Sequence, residues 1–281
     1  MASSEWTEVI SPERSLLSFR FGEVWRYRDL LWMFVVRDFV TLYKQTILGP
    51  LWLFVQPIFP ALTFTVVFGV LAGISTDDVA RPLFYLSGTI CWGYFADCLK
   101  TSSMTFRTNQ SIFGKVYFPR IVVPLSVAVS RLFRLGIQTT LFMIVFLAYF
   151  LAGSNLHPNA HLLLLPLVVI LMAGLALGFG MLVSSMTTKY RDLIFLLNFG
   201  VQLLMYATPV IYPLSLMPEK WRWAIVLNPM TSLIETVRYA FFGIGAFRWE
   251  YLAYTAAFTV VLLTVAISVF NRTEKNFMDT V

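Results

Sequence analysis

The sequence is short of charge and of the residues from which most catalytic sites are built. Only 13% of its 281 residues are charged, against 58% that are hydrophobic, which is far from an ordinary soluble domain. Its only histidines, His157 and His161, fall in one short loop, which argues against a histidine-based metal site or catalytic triad. Its only cysteines, Cys91 and Cys98, fall in one apolar segment, and we interpret them as packing residues rather than as a disulfide framework.

The sequence also lacks a phosphate-binding loop. No stretch matches G-x-x-x-x-G-K-[ST], and Gly114-Lys115 has neither the earlier glycine nor the following hydroxyl residue. The energy source must therefore be another polypeptide, and we expect no enzyme active site, metal or cofactor on this chain. The first 20 residues carry charges and no apolar core, so they do not predict a cleavable signal peptide.

What the sequence does contain is a series of long apolar segments. A helix needs about 20 apolar residues to cross a hydrocarbon core of about 30 Å. Six segments qualify, of which the first two are interrupted or short: 51–73, 83–99, 133–153, 162–185, 193–213 and 250–271. The sequence therefore predicts an all-α, polytopic membrane protein with six transmembrane helices in a single domain.

The distribution of lysine and arginine predicts the orientation of these helices. If both termini are cytoplasmic, 16 of the 21 lysines and arginines fall on the inner side. The sequence pI near 9.4 mostly records this asymmetry. Because the basic residues flank apolar segments, they do not indicate a nucleic-acid partner.

Several short motifs carry a family resemblance, spread over roughly residues 37 to 245. They are YKQTILGPLW at 43–52, KVYFPR at 115–120, YRD at 190–192, TPVIYP at 208–213, PEKWRW at 218–223 and NPM at 228–230. These motifs resemble the membrane subunits of ABC-2 type polysaccharide exporters of the bacterial inner membrane. The resemblance implies a permease that pairs with a second copy of itself and with two copies of a cytoplasmic ATPase, which binds ATP and magnesium. The implied substrate is a lipid-linked polysaccharide, most often O-antigen, with teichoic acid or capsule as alternatives.

Residues 22–46 predict an amphipathic helix that lies on the inner membrane surface. Trp25 and Trp32 can anchor it at the interface, and charges such as Arg37 and Asp38 disfavour the alternative, a first span that begins near Leu30. Its four cations are candidates for binding the lipid head group of the substrate, or they only follow the positive-inside bias. These cations are Arg26, Arg28, Arg37 and Lys44.

Residues 100–120 predict a cytoplasmic connection with a short helix, followed by Phe118-Pro119. In the resembled family this connection carries the helix that docks on the ATPase, which assigns coupling roles to Asn109, Gln110, Ile112 and Phe113. A plain solvated loop is the alternative. We disfavour it because an unburied apolar run would be unusual on a surface without a partner. That run comprises Ile112, Phe113, Val116, Tyr117 and Phe118.

Residues 214–249 predict two half-helices on the outer side, which together read as a re-entrant hairpin. Pro218 can begin the first, and Asn228 followed by Pro229 is an N-cap pair for the second, which runs to about Phe242. In the resembled family this hairpin is the outer gate. The gate residues are Pro218, Trp221, Asn228, Pro229, Glu235 and Arg238, of which the last two form either a latch or an ordinary surface pair.

Polar and aromatic residues follow helical spacing along three of the spans. Either neighbouring helices satisfy them, or they line a water-filled path in which aromatic rings stack on sugars and amides bond hydroxyl groups. The candidate glycan-channel residues are Trp52, Gln56 and Phe59, then Tyr85, Thr89 and Trp92, and finally Asn198, Gln202 and Tyr206.

Three further features remain open at this point. Asp97 either pairs with Lys100 or belongs to a proton relay, while Arg131 and Arg134 are expected to begin the third span and snorkel to the inner surface. The Gly174/Gly178 spacing permits close helix approach, within the bundle or between two copies. A membrane-embedded enzyme of lipid-linked sugar assembly is the alternative from another class, although only Asp97 and Asp192 could serve it.

Overall fold

The structure is a computed structural model that describes residues 21–44, 47–116 and 118–276. Within these ranges it is all-helical, as the sequence predicts. The α-helices are α1 (Phe21–Arg26), α2 (Arg28–Tyr43), α3 (Trp52–Phe64), α4 (Arg81–Ser102), α5 (Thr105–Thr108), α6 (Gln110–Phe113), α7 (Val122–Leu151), α8 (Leu165–Thr187), α9 (Leu193–Ala207), α10 (Glu219–Val226), α11 (Pro229–Phe242) and α12 (Trp249–Asn276). A π-helical segment, Thr65–Leu71, continues α3, and 3₁₀ turns cover Gly49–Leu51, Ala160–Leu164 and Leu214–Leu216. The predictions for residues 1–20, Gln45, Thr46 and Tyr117, and for the cytoplasmic C-terminus, lie outside the described residues.

Four helices in the described part of the chain are long and apolar enough to cross a membrane. They are Gly49–Leu71, Val122–Leu151, Ala160–Thr187 and Trp249–Glu274. Helix α4 has 22 residues but carries Arg81, Asp97 and Lys100, and helix α9 is apolar but has only 15 residues. The chain is therefore a polytopic membrane protein, and α4 and α9 occupy the places of the second and fifth predicted spans.

The ends of two helices differ from the predicted span boundaries. Helix α7 begins at Val122 rather than near residue 133, because Arg131 and Arg134 are accommodated inside the helix instead of preceding it. Helix α9 ends at Ala207 rather than at 213, because Thr208 is extended and Pro209 follows it.

The core of the bundle consists of α4 packed between α7 and α8, with α12 against the other side of α8. Glycines bring α8 and α12 into close approach. A Cβ atom on Gly174 would lie 2.6 Å from Thr259 Cγ2, and one on Gly178 would lie 2.7 Å from Leu262 Cγ. This pair of glycines therefore serves packing within the bundle.

The N-terminal helix α2 is separate from α3 and packs against α7. Its Phe34 and Val35 are buried, and the rings of Trp32 and Phe39 lie 6.0 and 5.6 Å from that of Phe133. Its exposed side mixes charged residues such as Arg37 with apolar Met33 and Val36, so the predicted division into a polar and an apolar face is only partial.

The two predicted half-helices of the 214–249 segment begin where the sequence predicts. Pro218 precedes α10, and the Asn228 side chain accepts a hydrogen bond from the Met230 N–H at 3.1 Å, which caps α11. Helix α11 ends at Gly243, whose φ of +72° is left-handed. Every residue of α11 except Tyr239 is buried, whereas none of α10 is.

Candidate functional site

A cavity of about 190 Å³ lies where α3, α4, α7 and α9 meet. Its lining is mostly apolar and includes Phe64 and the two prolines of α3, but it also contains uncharged hydrogen-bonding groups, a tryptophan ring and one guanidinium. The residues that define it are Gln56, Thr89, Trp92, Arg134, Gln138 and Met205. Three of these residues, Gln56, Thr89 and Trp92, are predicted glycan-channel residues from two different spans, and the fold brings them together.

Helix α3 supplies a backbone acceptor to this region because of its prolines. Pro57 has no N–H to donate to the carbonyl of Leu53 in the preceding turn. That carbonyl instead accepts a hydrogen bond from Gln138 Nε2 of α7 at 3.4 Å. A missing bond within one helix is thus replaced by a bond to its neighbour, which ties α3 to α7 beside the cavity.

The charge in this cavity is paired across two helices. Arg134 of α7 donates to the Asp97 carboxylate of α4, and the side chains are 17% and 35% exposed. This corrects two predictions, since Asp97 pairs with Arg134 rather than with Lys100, and Arg134 turns toward α4 rather than snorkelling. A charge within a long apolar helix is costly unless it is paired, and the partner here is 37 residues away in the sequence.

Tyr85 is not exposed, although the sequence analysis groups it with Thr89 and Trp92 as a candidate glycan-channel residue. Its side chain is fully buried, with ring centroids 6.2 Å from Phe64 and 5.4 Å from Phe84, so it lies in the core instead of in the cavity. Trp92 is also largely buried, against Phe95 at 5.3 Å, but it still borders the cavity. The Thr89 hydroxyl donates to the Tyr85 carbonyl at 2.8 Å.

The remaining channel candidates lie on the outer surface of the chain. On α3, Trp52 and Phe59 are 40% and 65% exposed, and Gln56 is exposed beside the cavity. On α9, the polar stripe of Asn198, Gln202 and Tyr206 is exposed, and Val201 alone is buried. Amides on such a surface require hydrogen-bonding partners that lipid cannot supply.

At the other end of the molecule, Glu235 and Arg238 form a buried latch rather than a surface pair. They lie 3.3 Å apart and each is 3% exposed. Arg238 also donates to the carbonyls of Pro209 and, at 2.9 Å, of Val210, and its guanidinium lies 3.6 Å from the Phe84 ring. The latch joins α11 to α4 and to the segment that follows α9.

Glu235 completes the latch on its other side. Its carboxylate accepts a hydrogen bond from the Ala246 N–H at 3.1 Å. Space around the guanidinium is tight, because a Cβ on Gly88 would lie 3.0 Å from both Arg238 Nη2 and the Val210 carbonyl oxygen. Charge, backbone acceptors and steric fit therefore all fix α11 in place.

The apolar run in the 100–120 connection is mostly buried, and of its described residues only Val116 is exposed as predicted. Phe113 is buried 6.0 Å from the Phe106 ring and 5.7 Å from that of Phe118, and Ile112 is half-buried. Asn109 is also buried, with its Nδ2 donating to the Thr105 carbonyl at 3.0 Å. The residues that this connection exposes are mostly polar: Arg107, Thr108, Gln110, Ser111, Gly114, Lys115 and Val116.

The candidate head-group cations lie apart from one another along α1 and α2. The Arg28 guanidinium lies 5.5 Å from the Trp25 ring, and Arg37 pairs with Asp38 at 2.8 Å. Arg26, Arg28, Arg37 and Lys44 are all exposed, and Arg37 borders a cavity. Among the residues that the structure describes, no cluster of three or more histidine, cysteine or acidic side chains could hold a metal ion.

Sequence reasoning missed Arg134 and Gln138 as cavity residues. The sequence interpretation begins the third span near residue 133, so it places Arg134 at the end of that span and not on the wall of a cavity. The helical spacing of Arg131, Arg134 and Gln138 along one face of a longer helix was the signal that could have identified them.

Comparison with known proteins places the chain in a family. Residues 29–242 match the ABC-2 type transporter family, so the chain belongs to it, and the resemblance in its motifs is confirmed. It is 28% identical over 252 residues to the O-antigen export system permease protein RfbA of Klebsiella pneumoniae, covering 89% of this chain and 94% of that protein. The protein of the same name from Myxococcus xanthus is 28% identical over 261 residues, and the match covers 92% of this chain and 98% of that protein.

A more distant relative has a different cargo in its name. The polysialic acid transport protein KpsM of Escherichia coli is 23% identical over 241 residues, covering 85% of this chain and 92% of that protein. The chain is accordingly the membrane permease subunit of a transporter and carries no ATPase domain.

Proposed function

We propose that this chain is the channel-forming subunit of an ATP-driven exporter of a lipid-linked polysaccharide, with O-antigen as the preferred cargo. The observation that carries the proposal is the cavity beside the exposed stripes of α3 and α9, where Gln56, Thr89 and Gln202 offer neutral hydrogen-bonding groups. Neutral amides and aromatic rings suit a sliding glycan because they bind it repeatedly without holding it. The O-antigen permeases at 28% identity favour that cargo.

A second copy of the chain would complete the path. The exposed stripes of α3 and α9 need a polar or aromatic surface opposite them, and an identical stripe related by twofold symmetry supplies one. The glycan would pass between the two copies, with Asn198, Gln202 and Tyr206 contributed by each.

Two copies of a cytoplasmic ATPase, with their ATP and magnesium, would drive the cycle. The exposed side chain of Gln110, flanked by Arg107 and Lys115, provides the polar surface on which they dock, and Ile112 lies at its edge. Asn109 and Phe113 would act from beneath, because Asn109 Nδ2 donates to the Thr105 carbonyl of α5 and the Phe113 ring packs against the rings of Phe106 and Phe118.

The outer hairpin would divide its gating role between its two halves. We place the permease in the bacterial inner membrane with both termini cytoplasmic and six spans, α4 and α9 included. Helix α11, held by the buried latch, would then be the fixed frame, and α10, with exposed Trp221 and Trp223, the movable half.

Thiol labelling would test the path directly. With native Cys91 and Cys98 buried, Thr89→Cys should react with a water-borne thiol reagent when the assembled transporter is turning over ATP. Val168→Cys, which places a thiol in the packed core, is the control and should stay unreactive. Equal, negligible labelling at both positions in every transport state would contradict a water-filled path at this cavity.

Capsular polysaccharide is the second candidate cargo, favoured by the polysialic acid relative. Export restored by this chain, with its own ATPase, in an O-antigen export mutant and not in a capsule export mutant would separate the two.

A further inference from the structure

A second cavity lies near the inner end of the bundle and contains an arginine that the proposed path does not use. It has a volume of about 170 Å³ and lies among α2, the end of α4, α5 and the start of α7. Met104, Val123 and Val127 form its apolar wall, and its polar lining residues are Arg37, Asp38, Thr41, Thr101, Thr105, Thr108, Asn109 and Arg131.

Arg131 is incompletely satisfied by the protein. Its Nη2 donates to Thr101 Oγ1 at 3.2 Å, but Nε and Nη1 are buried and have no hydrogen-bond partner among the described residues. A guanidinium carries five N–H donors, and a buried donor left without an acceptor is costly. Such a group in a native structure calls for an acceptor that the protein itself does not provide.

The nearby carboxylates are engaged elsewhere. Asp38, which also borders this cavity, pairs with Arg37 at 2.8 Å, and Asp97 pairs with Arg134. The cavity therefore has a net positive lining, with one cation balanced and Arg131 unbalanced. A neutral water could accept its hydrogen bonds but could not balance its charge.

We propose that this cavity binds a phosphate group, with Arg131 as its principal ligand and Arg37 at its rim. Phosphate offers several anionic acceptor oxygens, and arginine binds it more strongly than it binds neutral acceptors. The volume of about 170 Å³ is several times the share of one water in the liquid, about 30 Å³, so the cavity has room for a group larger than a single water. The phosphate is carried either by a lipid at the inner membrane surface or by a free phosphate compound.

This inference rests on the proposed function in one respect, which is that the cavity lies on the cytoplasmic side of the membrane. It moves the centre of head-group recognition away from the exposed cations of α1 and α2 and onto α7. Phosphate binding to the permease alone requires neither glycan nor ATPase, so it can fail while the export function stands.

Binding measurements on the full chain in phosphatidylcholine nanodiscs test the site. In one arm, sodium pyrophosphate is titrated by calorimetry, and in the other, phosphatidic acid is added and its adducts are counted by native mass spectrometry. In at least one arm, Arg131→Gln should weaken binding about tenfold or more, because a hydrogen bond to a charged group contributes about 1.5–3 kcal/mol. Arg191→Gln removes the same charge from the exposed turn before α9 and should bind as the wild type does.

The pattern across the arms identifies the source of the phosphate. Loss confined to phosphatidic acid supports a lipid head group, and loss confined to pyrophosphate supports a free compound. If Arg131→Gln does not fold, Arg37→Gln provides the readout, since its side chain is 43% exposed and its loss should weaken binding without unfolding the chain.

Three outcomes would overturn the site. These are no binding by the wild type in either arm, equal binding by the wild type and Arg131→Gln, or equal binding by Arg37→Gln where that variant is the readout. If the wild type binds no phosphate and Arg131→Gln loses the ATPase on co-purification, the missing acceptor is a carboxylate of the ATPase instead.

Discussion

Helices α9 and α11 differ in a way that reverses the usual relation between polarity and burial. Helix α11 carries Glu235 and Arg238, yet every one of its residues except Tyr239 is buried. Helix α9 is apolar along most of its length, yet Val201 is its only buried residue. In water this arrangement would be unstable, but in a membrane the exposed apolar helix faces lipid or another copy, while buried charges pair inside the protein.

The comparison shows that the two helices owe their positions to different forces. Helix α11 is fixed by specific polar contacts, whose loss leaves unpaired groups in the core. Helix α9 contacts α4 and α8 but leaves every residue except Val201 exposed or half-buried, so its face is available for another surface. Each prediction below is checked by thermal unfolding of the purified permease, and the second and the fourth are also checked by measuring export.

The largest effect is expected for the buried latch. Arg238→Ala leaves the Glu235 carboxylate and the carbonyls of Pro209 and Val210 without their donor, so it should destabilise the fold by about 3–5 kcal/mol. The matched control is Arg191→Ala in the exposed turn before α9. Similar unfolding of the two variants would mean that α11 is not held by its charges.

A smaller loss is expected for the ion pair of the cavity. Asp97→Asn removes the charge opposite Arg134, but Asp97 is partly exposed, so the cost should be about 1–3 kcal/mol. Export should also fall, because an unpaired Arg134 would hold anionic groups in the path. Lys100→Gln, near the same end of α4, should change neither the stability nor the export. An equal effect of this variant would indicate that Asp97 pairs with Lys100, as the sequence suggests.

The cap of α11 should contribute less again. Asn228→Ala removes the acceptor for the Met230 N–H and the donor to Thr208 Oγ1, for a cost of about 1 kcal/mol. Asn228→Asp keeps the acceptor and should recover much of the loss. Equal stability of the alanine variant and the wild type would show that burial alone holds the start of α11.

The smallest change in stability is expected on α9. Asn198→Leu with Gln202→Leu should shift the free energy of unfolding by no more than about 0.5 kcal/mol, because both side chains are exposed. Export should nevertheless fall sharply, since these amides belong to the proposed path. Unchanged export in this double variant, against a matched Phe195→Leu and Leu196→Val pair, would remove α9 from the path.

Features with local causes could be predicted from the sequence. Asn228 and Pro229 determine the start of α11, and Gly243 ends it, through contacts within a few residues. The apolar segments likewise predict the long helices, since twenty residues without charge have few alternatives in a membrane.

Features with distant causes could not be predicted in the same way. Arg134 lies inside α7 because Asp97 of α4 pairs with it, and the sequence alone does not reveal this partner. Sequence spacing suggests Lys100 as the partner of Asp97 instead. Phe113 looked like a docking residue because its burial depends on Phe106 and Phe118, which only the folded connection brings around it. Tyr85 was assigned to the path from helical spacing, which indicates the residues that share a face but not what covers that face.

The prolines of α3 have a further consequence for how the path can be studied. Pro57 and Pro60 leave the carbonyls of Leu53 and Gln56 without their usual donors in the helix, and the second lies at the cavity. Acceptors of this kind belong to the main chain, so they persist at any pH and survive the replacement of their own side chains by alanine. Alanine at Leu53 or Gln56 would therefore leave these carbonyl acceptors unchanged. Pro60→Ala restores the missing N–H, so it would engage the Gln56 carbonyl within the helix.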